Sequence, residues 1–392
     1  IANVVTTGAF TIPLMKKTGY HKTFAGAVEA SASVGGQLMP PIMGAAAFIM
    51  AEYLGVSYRF VMITALIPAI LYYVSLWINV HLEAKRLNLC GIPKNRLPNA
   101  AEEVKKSGHL ILPIILLIAM LMMNYTPSYA AFFSIVGLVI VSFFKKSSRL
   151  HFKKLIAALI SGAKQGLSVA IACAVVGLVV GVVSITGIGL QLANMIIRLS
   201  HGNLLLTLIL TMTACVILGM GMPTSAAYIV AATVATSAIT ATGVSAATAH
   251  MFVLYYAALS AITPPVALAS YAGAGLADAS PNKVGWTAVR VGILGFIIPF
   301  MFVYSPPLLM MDSAPVEIIV AFISACIGCI CLGAATQGYM VTTVNIPMRI
   351  ILFIAAMLMI KSGMVTDLLG AAMLGACYFI QKRQTGVKAK VA

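Results

Sequence analysis

The chain has 392 residues, 61% of them hydrophobic and only 9% charged, with a formal net charge of +16. That balance excludes an ordinary soluble domain. The basic residues lie between apolar runs (Lys16, Lys17 and Lys22; Lys85, Arg86, Lys94, Arg96, Lys105 and Lys106; Lys145, Lys146, Arg149, Lys153 and Lys154; and the tail from Lys382 to Lys390), which reads as a positive-inside topology signal with lipid contacts and argues against a nucleic-acid partner.

In chain order, residues 2–14 read as a half-helix descending to a cytoplasmic loop at 16–22. Residues 23–54 climb outward as one helix broken at 35–41, and 56–80 return. The basic stretch 82–109 then falls inside. Residues 110–123 and 129–144 form an out-and-back pair around a turn at 124–128, and the most basic stretch, 145–154, falls inside again. A long Gly-rich helix, 155–188, leads out, and the amphipathic 190–200 is expected on the outer surface. Residues 203–218 re-enter, 219–225 cannot continue a regular helix, and 226–240 leave on the same side, making a re-entrant hairpin. Residues 246–276 run inward, broken at 260–265, and 286–310, 316–335, 347–360 and 364–380 complete the chain. Arg59, Arg198 and Lys361 are the main basic residues left outside.

The two breaks carry the same signature. Pro40-Pro41 follows Gly35-Gly36, and Pro264-Pro265 follows Ser260-Ala261-Ile262-Thr263. Sliding the chain by their spacing also aligns Gly19 with Gly243 and Ala25 with Ala249. Because the two broken helices run in opposite directions, the pattern predicts an inverted-topology repeat. The expected fold is an all-α integral membrane protein of the elevator type, with re-entrant hairpins and Pro-Pro-broken helices. Residues 1–55 hold the end of a first hairpin plus the first broken helix. Residues 56–202 are scaffold and connecting helices, 203–276 the second hairpin and second broken helix, and 277–392 C-terminal helices with a basic cytoplasmic tail. The sequence opens at Ile1, in mid-element, and reads as a fragment of a longer chain.

Proline withholds an N–H and frees the carbonyls upstream of it. In a bilayer such carbonyls must face protein, water or an ion. Rings of carbonyl and hydroxyl oxygens suit a hard cation such as sodium. Gly35, Gly36, Pro40 and Pro41 at the first break, Thr263 at the second, and Gly219, Gly221, Thr224 and Ser225 at the hairpin tip are therefore the candidates. Half-helices beginning at the breaks favour an anionic substrate such as a carboxylate. The plainer alternative is that the glycines allow close packing and the prolines only kink.

Intramembrane charges are few. Glu52 is expected at the interface, Glu29 either pairs with a basic group or stays near the cytoplasmic interface, and Arg290 and Lys164 lie near helix ends, where Arg290 can snorkel. Cys326-x-x-Cys329-x-Cys331 lies in an apolar run and reads as small helix residues, not as a metal site. Zinc-protease, nucleophile-elbow and phosphate-loop motifs are missing, so no enzyme, cofactor or nucleotide site is expected.

Three stretches carry a family resemblance. They are Gly35-Gly36-Gln37-Leu38-Met39-Pro40-Pro41-Ile42-Met43-Gly44, Ile217-Leu218-Gly219-Met220-Gly221-Met222-Pro223-Thr224-Ser225-Ala226, and Ile262-Thr263-Pro264-Pro265-Val266-Ala267 on to Ala274-Gly275-Leu276-Ala277-Asp278. With them the chain resembles the large membrane subunit of the tripartite ATP-independent periplasmic (TRAP) transporters, and more narrowly the fused permeases of the TAXI branch, as far as about Met310. Many relatives carry Ser after the first Pro-Pro; Ile42 stands here, which fits the TAXI branch.

The resemblance implies an inner-membrane permease that imports a small organic anion with sodium as coupling ion. Its implied partners are a periplasmic TAXI-type solute-binding protein and a small permease subunit. It further implies one sodium site on Gly35, Gly36 and Met39 and a second on Gly219, Gly221, Thr224 and Thr263. Asn3, Thr7 and Ser225, with Pro40, Pro41, Pro264 and Pro265 at the breaks, would face the substrate. Rival readings are a binding-protein-independent anion exchanger of the same architecture, an intramembrane hydrolase built around His250, and a non-transporting scaffold.

Overall fold

The computed structural model describes the chain except residues 94–98, 146–147, 361–362 and 392. Lys94, Arg96, Lys146 and Lys361 thus lie outside the described residues, and so do the side chains of the tail beyond residue 383. Among the described residues every regular element is helical. In chain order these are α1 (Ala2–Lys17), α2 (Lys22–Gly35), α3 (Ala45–Leu54), α4 (Tyr58–Arg86), α5 (Ala100–Ser107), α6 (Leu112–Met122), α7 (Pro127–Ser142), α8 (Phe152–Thr186) and α9 (Ile188–Ser200). Then come α10 (Leu204–Gly219), α11 (Thr224–Thr240), α12 (Ala246–Leu259), α13 (Leu268–Ala277), α14 (Pro281–Val291), α15 (Ile293–Tyr304), α16 (Pro315–Gln337), α17 (Ile346–Ile360) and α18 (Met364–Val391). Among the described residues, five helical stretches are long and apolar enough to cross a membrane: Tyr58–Arg86, Val104–Met122, Phe152–Thr186, Pro281–Tyr304 and Pro315–Gln337.

The internal match is visible in local geometry. α2 and α12 are both 14 residues long and occupy the same positions relative to their proline pairs. The turn before each contains a left-handed glycine, Gly19 at φ +105° and Gly243 at φ +88°, a conformation that other residues adopt at a cost. His21 and Ser245 then cap the two helices, accepting from the backbone N–H of Thr23 and Thr248. The Pro-Pro bonds of the two breaks are cis, which the third proline pair of the chain, Pro306-Pro307, is not.

The two repeats pack head to tail. α2 lies on α13, and α3 lies on α11 and α12, so each half of one broken helix meets the opposite half of the other. The closest approach is backbone on backbone. A Cβ on Gly273 would lie 2.7 Å from the Gly26 carbonyl oxygen, and one on Gly26 would lie 3.0 Å from that of Gly273. Only a pair of glycines permits that crossing.

Around this pair the core is aromatic. Tyr72, Tyr228, Tyr255, Tyr256, Phe252 and Phe302 are fully buried. Tyr256 keeps its hydroxyl satisfied by donating to the Phe296 carbonyl at 2.7 Å, and Phe252 meets Phe300 edge to face. On the far side of α4, buried Asn79 donates to the carbonyls of Ser75 and Val291 and accepts from Gln337 at 2.8 Å. One amide thereby joins α4, α14 and α16.

Three boundaries differ from the sequence reading. α4 runs to Arg86, past the expected end at residue 80, because Glu83 and Arg86 pair one turn apart. Within the expected loop, Asn99 caps the short helix α5. The helix expected from residue 286 begins at Pro281 and is interrupted at Gly292, where a Cβ would meet Ile262 and Ser31. The amphipathic α9 buries Gly189, Ala193, Ile196 and Ser200 against α10 and α11 and turns Leu190, Met195 and Leu199 outward.

Gly273→Ala is expected to lower the thermal unfolding midpoint of the purified protein, by overpacking worth roughly 1–3 kcal/mol. Gly275→Ala on the same helix, where an added Cβ meets nothing within 4 Å, is expected to leave the midpoint unchanged.

Candidate functional site

At the first break, α2 stops because Pro40 and Pro41 offer no N–H to continue it. The chain closes in a tight turn instead. The Gly35 carbonyl accepts from the N–H groups of Leu38 (2.9 Å) and Met39 (3.1 Å), and Gln37 accepts from Gly44 at 2.9 Å. Gly36 and Met39 differ: among the described hydrogen bonds none ends on their carbonyl oxygens. Of the three expected first-site residues, two therefore keep a free carbonyl, while that of Gly35 is already shared by two donors.

The carbonyls of Leu38, Pro40 and Ile42 likewise receive no donor among the described hydrogen bonds, while tyrosines hold three others. Tyr58 donates to the Pro41 carbonyl at 2.9 Å, and its oxygen also receives the Met43 N–H. Tyr72 and Tyr73 donate to Ser31 and Ala32 at 2.8 and 2.9 Å. The Tyr72 ring lies between two glycines: a Cβ on Gly35 would fall 2.5 Å from one ring edge, and a Cβ on Gly295 would fall 2.6 Å from the other. Gly35 is thus required by packing as well as by the turn.

The second break is built in parallel. Tyr271 donates to the Pro265 carbonyl, as Tyr58 does to that of Pro41. The hairpin tip between α10 and α11 turns at Gly221, φ +75°. Ser260 Oγ lies 3.1 Å from the Gly219 carbonyl oxygen and 2.8 Å from that of Ala257. A Cβ on Gly219 would sit 2.6 Å from that hydroxyl, and one on Gly221 would touch Val266. Tip and break are therefore one unit. Thr263 donates its hydroxyl hydrogen to the Leu259 carbonyl at 2.8 Å, which leaves lone pairs of its oxygen open to a cation. Thr224 is half-buried at the start of α11 and Ser225 beside it is buried, its Oγ 4.0 Å from Cys173 Sγ.

The expected substrate residues on α1 face α2. Asn3 donates to Ser33 Oγ at 2.9 Å. Thr7 and Thr11 reach the two carboxylate oxygens of Glu29, Thr11 at 2.5 Å, and Ser33 adds a longer bond at 3.3 Å. Glu29 is buried, 7% exposed. Of its two expected settings the pairing with a basic group is not found: hydroxyls of α1 and α2 surround it instead. Periodicity could not foretell that partnership, since all four hydroxyl and carboxylate groups come from two helices joined by a turn.

His250 shares its Nδ1 with the Tyr228 hydroxyl at 2.7 Å and packs against Tyr53. Cys329 and Cys331 are buried along α16, Cys329 Sγ lying 4.0 Å from the Leu71 carbonyl of α4. Among the described residues no cluster of three metal-ligating side chains occurs.

Residues that the sequence reading did not single out complete the site: Tyr58, Tyr72, Tyr73, Tyr271 and Ser33, together with the hydroxyl of Ser260. Tyr58→Phe would leave the half-buried Pro41 carbonyl without its donor and the buried Met43 N–H without its acceptor, at a cost of about 1–3 kcal/mol. A chemical or thermal unfolding series is expected to rank Tyr58→Phe as more damaging than Tyr271→Phe, whose hydroxyl lies in a more open setting.

The family model of the tripartite ATP-independent periplasmic transporter, DctM component, matches residues 1–317. It takes in both repeats and stops at the start of α16. No individual curated protein matches the chain.

Proposed function

The chain belongs to the DctM family of tripartite ATP-independent periplasmic transporters and is a multi-pass permease of the inner membrane, not an enzyme, and from that premise we propose that it imports a small organic anion in symport with sodium. The observation that carries this reading is the pairing of two Pro-Pro breaks in antiparallel helices, one of them locked to a glycine hairpin tip. Such midplane breaks are where secondary transporters bind ions and substrate.

The first sodium site is assigned to the open carbonyls of Gly36 and Met39, with Gly35 holding the turn. The second is assigned to Gly219, Gly221, Thr224 and Thr263. Support comes from the oxygens left without donors at Gly36 and Met39 and from the lone pairs of Thr263. An organic carboxylate would sit between the breaks, near Pro40, Pro41, Pro264 and Pro265, with Ser225 at the N-terminus of α11. Asn3 and Thr7 are engaged by Ser33 and Glu29, so their part would be to hold α1 against α2 beside the substrate.

As the DctM component of a tripartite system, the chain is expected to work with a periplasmic binding protein and a small membrane subunit. A TAXI-type binding protein is favoured by Ile42, which stands half-exposed at the first break.

The test is uptake of labelled C4–C5 dicarboxylates or glutamate into proteoliposomes holding the full-length permease, with and without its binding protein and an inward sodium gradient. Uptake is expected to need both. Thr263→Ala and Gly221→Ala are each expected to lower the initial rate by roughly tenfold or more, Gly221→Ala because a side chain at its positive φ is strained. Unchanged sodium-driven uptake in both variants would remove the second site, and sodium-driven uptake without the binding protein would instead identify a stand-alone exchanger.

A further inference from the structure

The basic ends of several helices converge. Lys22 at the start of α2 pairs with Asp278, Tyr20 reaches the Val80 carbonyl, and Lys16 lies 3.4 Å from that of Ala277. The loops at 16–22, 82–89 and 277–283 therefore share one end of the molecule, which the positive-inside rule turns toward the cytoplasm. Between α2, α4 and α14 this end holds an open cleft of about 510 Å³.

Its walls carry His21, Glu83, Arg86, Lys283, Trp286 and Arg290. Glu83 is the one acidic lining residue, and Arg86 occupies both its oxygens at 2.8 and 2.6 Å. Lys283 and Arg290 are exposed, and among the described residues neither side chain has a hydrogen bond or ion pair. His21 uses Nδ1 to accept the Thr23 N–H, which directs the remaining ring proton to Nε2. The cleft thus holds two cations without a carboxylate partner and a ring N–H donor. Trp286, 64% exposed, stands beside them, an amphipathic ring suited to the depth of lipid headgroups.

We propose that this cleft binds a phosphate group, presented by an anionic phospholipid of the cytoplasmic leaflet. Arg290 and Lys283 contact the phosphate oxygens, and Trp286 packs on the glycerol and upper acyl chain. Arg offers a planar fork to phosphate and Lys a point charge, and basic pockets between membrane helices on this side recognise such headgroups. The site adjoins the second break from outside: its lining residue Asn282 lies 3.3 Å from the hydroxyl of Tyr271, which holds the Pro265 carbonyl, and α14 packs on Pro264 at Gly285. It bridges α2 and α14 of the repeat assembly to α4, so an occupant touches helices on both sides of the cleft.

The chain has two tryptophans, Trp77 and Trp286. Trp77 is exposed and stacks on His81, and the part of the emission change that Trp286→Phe abolishes is the part that reports on this cleft. The full-length permease, purified in detergent, is titrated with dioctanoyl phosphatidylglycerol, with dioctanoyl phosphatidylcholine and with inorganic phosphate, following tryptophan emission with and without Trp286→Phe. Phosphatidylglycerol is expected to bind tenfold or more tightly than phosphatidylcholine. Lys283→Gln with Arg290→Gln is expected to weaken it on the order of tenfold, Lys283→Gln alone by less, and Lys153→Gln with Lys154→Gln, in a different basic loop, to leave it unchanged. Monodisperse elution and an unshifted unfolding midpoint establish that each variant is folded. Competition by inorganic phosphate would identify the phosphate itself as sufficient, and no competition would identify the lipid-borne group. Equal responses to the two lipids, or an unaltered response in the folded double variant, would overturn the proposal.

Discussion

A backbone oxygen inside a membrane must find a donor or an ion, and the rest of this structure follows from where that requirement is met and where it is left open. Each proline pair removes two donors from a helix that would otherwise satisfy itself. Tyr58 and Tyr271 reach back to the second proline of each pair, and Tyr72 and Tyr73 cover the last turn of α2. Among the described hydrogen bonds, the carbonyls of Gly36, Leu38, Met39, Pro40 and Ile42 receive none. Part of the unwound backbone is thus held by tyrosines, and the rest of its oxygens face the break without a protein donor.

The same economy governs how the repeats meet. Two helices can cross backbone to backbone only where neither carries a side chain, and Gly26 and Gly273 provide that single point. The tip of the second hairpin is bound to its break through Ser260 and Gly219. In the first repeat Gly36 stands where Ser260 does, and α1 is held to α2 one turn earlier, through Asn3 and Ser33.

Much of this was legible in the chain itself, because proline and glycine act locally. The paired breaks, the hairpin tip at residues 219–225 and the aligned Gly19 and Gly243 could be read without coordinates, and the left-handed φ at both glycines supports that alignment. The satisfying groups were not legible. Tyr58 is 17 residues from Pro41, Ser260 is 41 from Gly219 and Tyr72 is 41 from Ser31. In an apolar run a tyrosine at any helical phase looks like core. Glu29 was visible as an oddity, but its hydroxyl surroundings depend on how α1 lies against α2. The extension of α4 to Arg86 was missed for the opposite reason: charged residues suggested a loop where an intrahelical ion pair prolonged the helix.

Tyr72 stands with one ring edge against Gly35, the other against Gly295, and its hydroxyl on the Ser31 carbonyl. The three positions therefore form one unit of inheritance. A lineage that replaced either glycine first would meet the ring, and one that shortened the tyrosine first would open a void beside an orphaned carbonyl. Descent through such a site is confined to near-simultaneous exchange, so distant members of the family should vary at these three places together or keep them fixed.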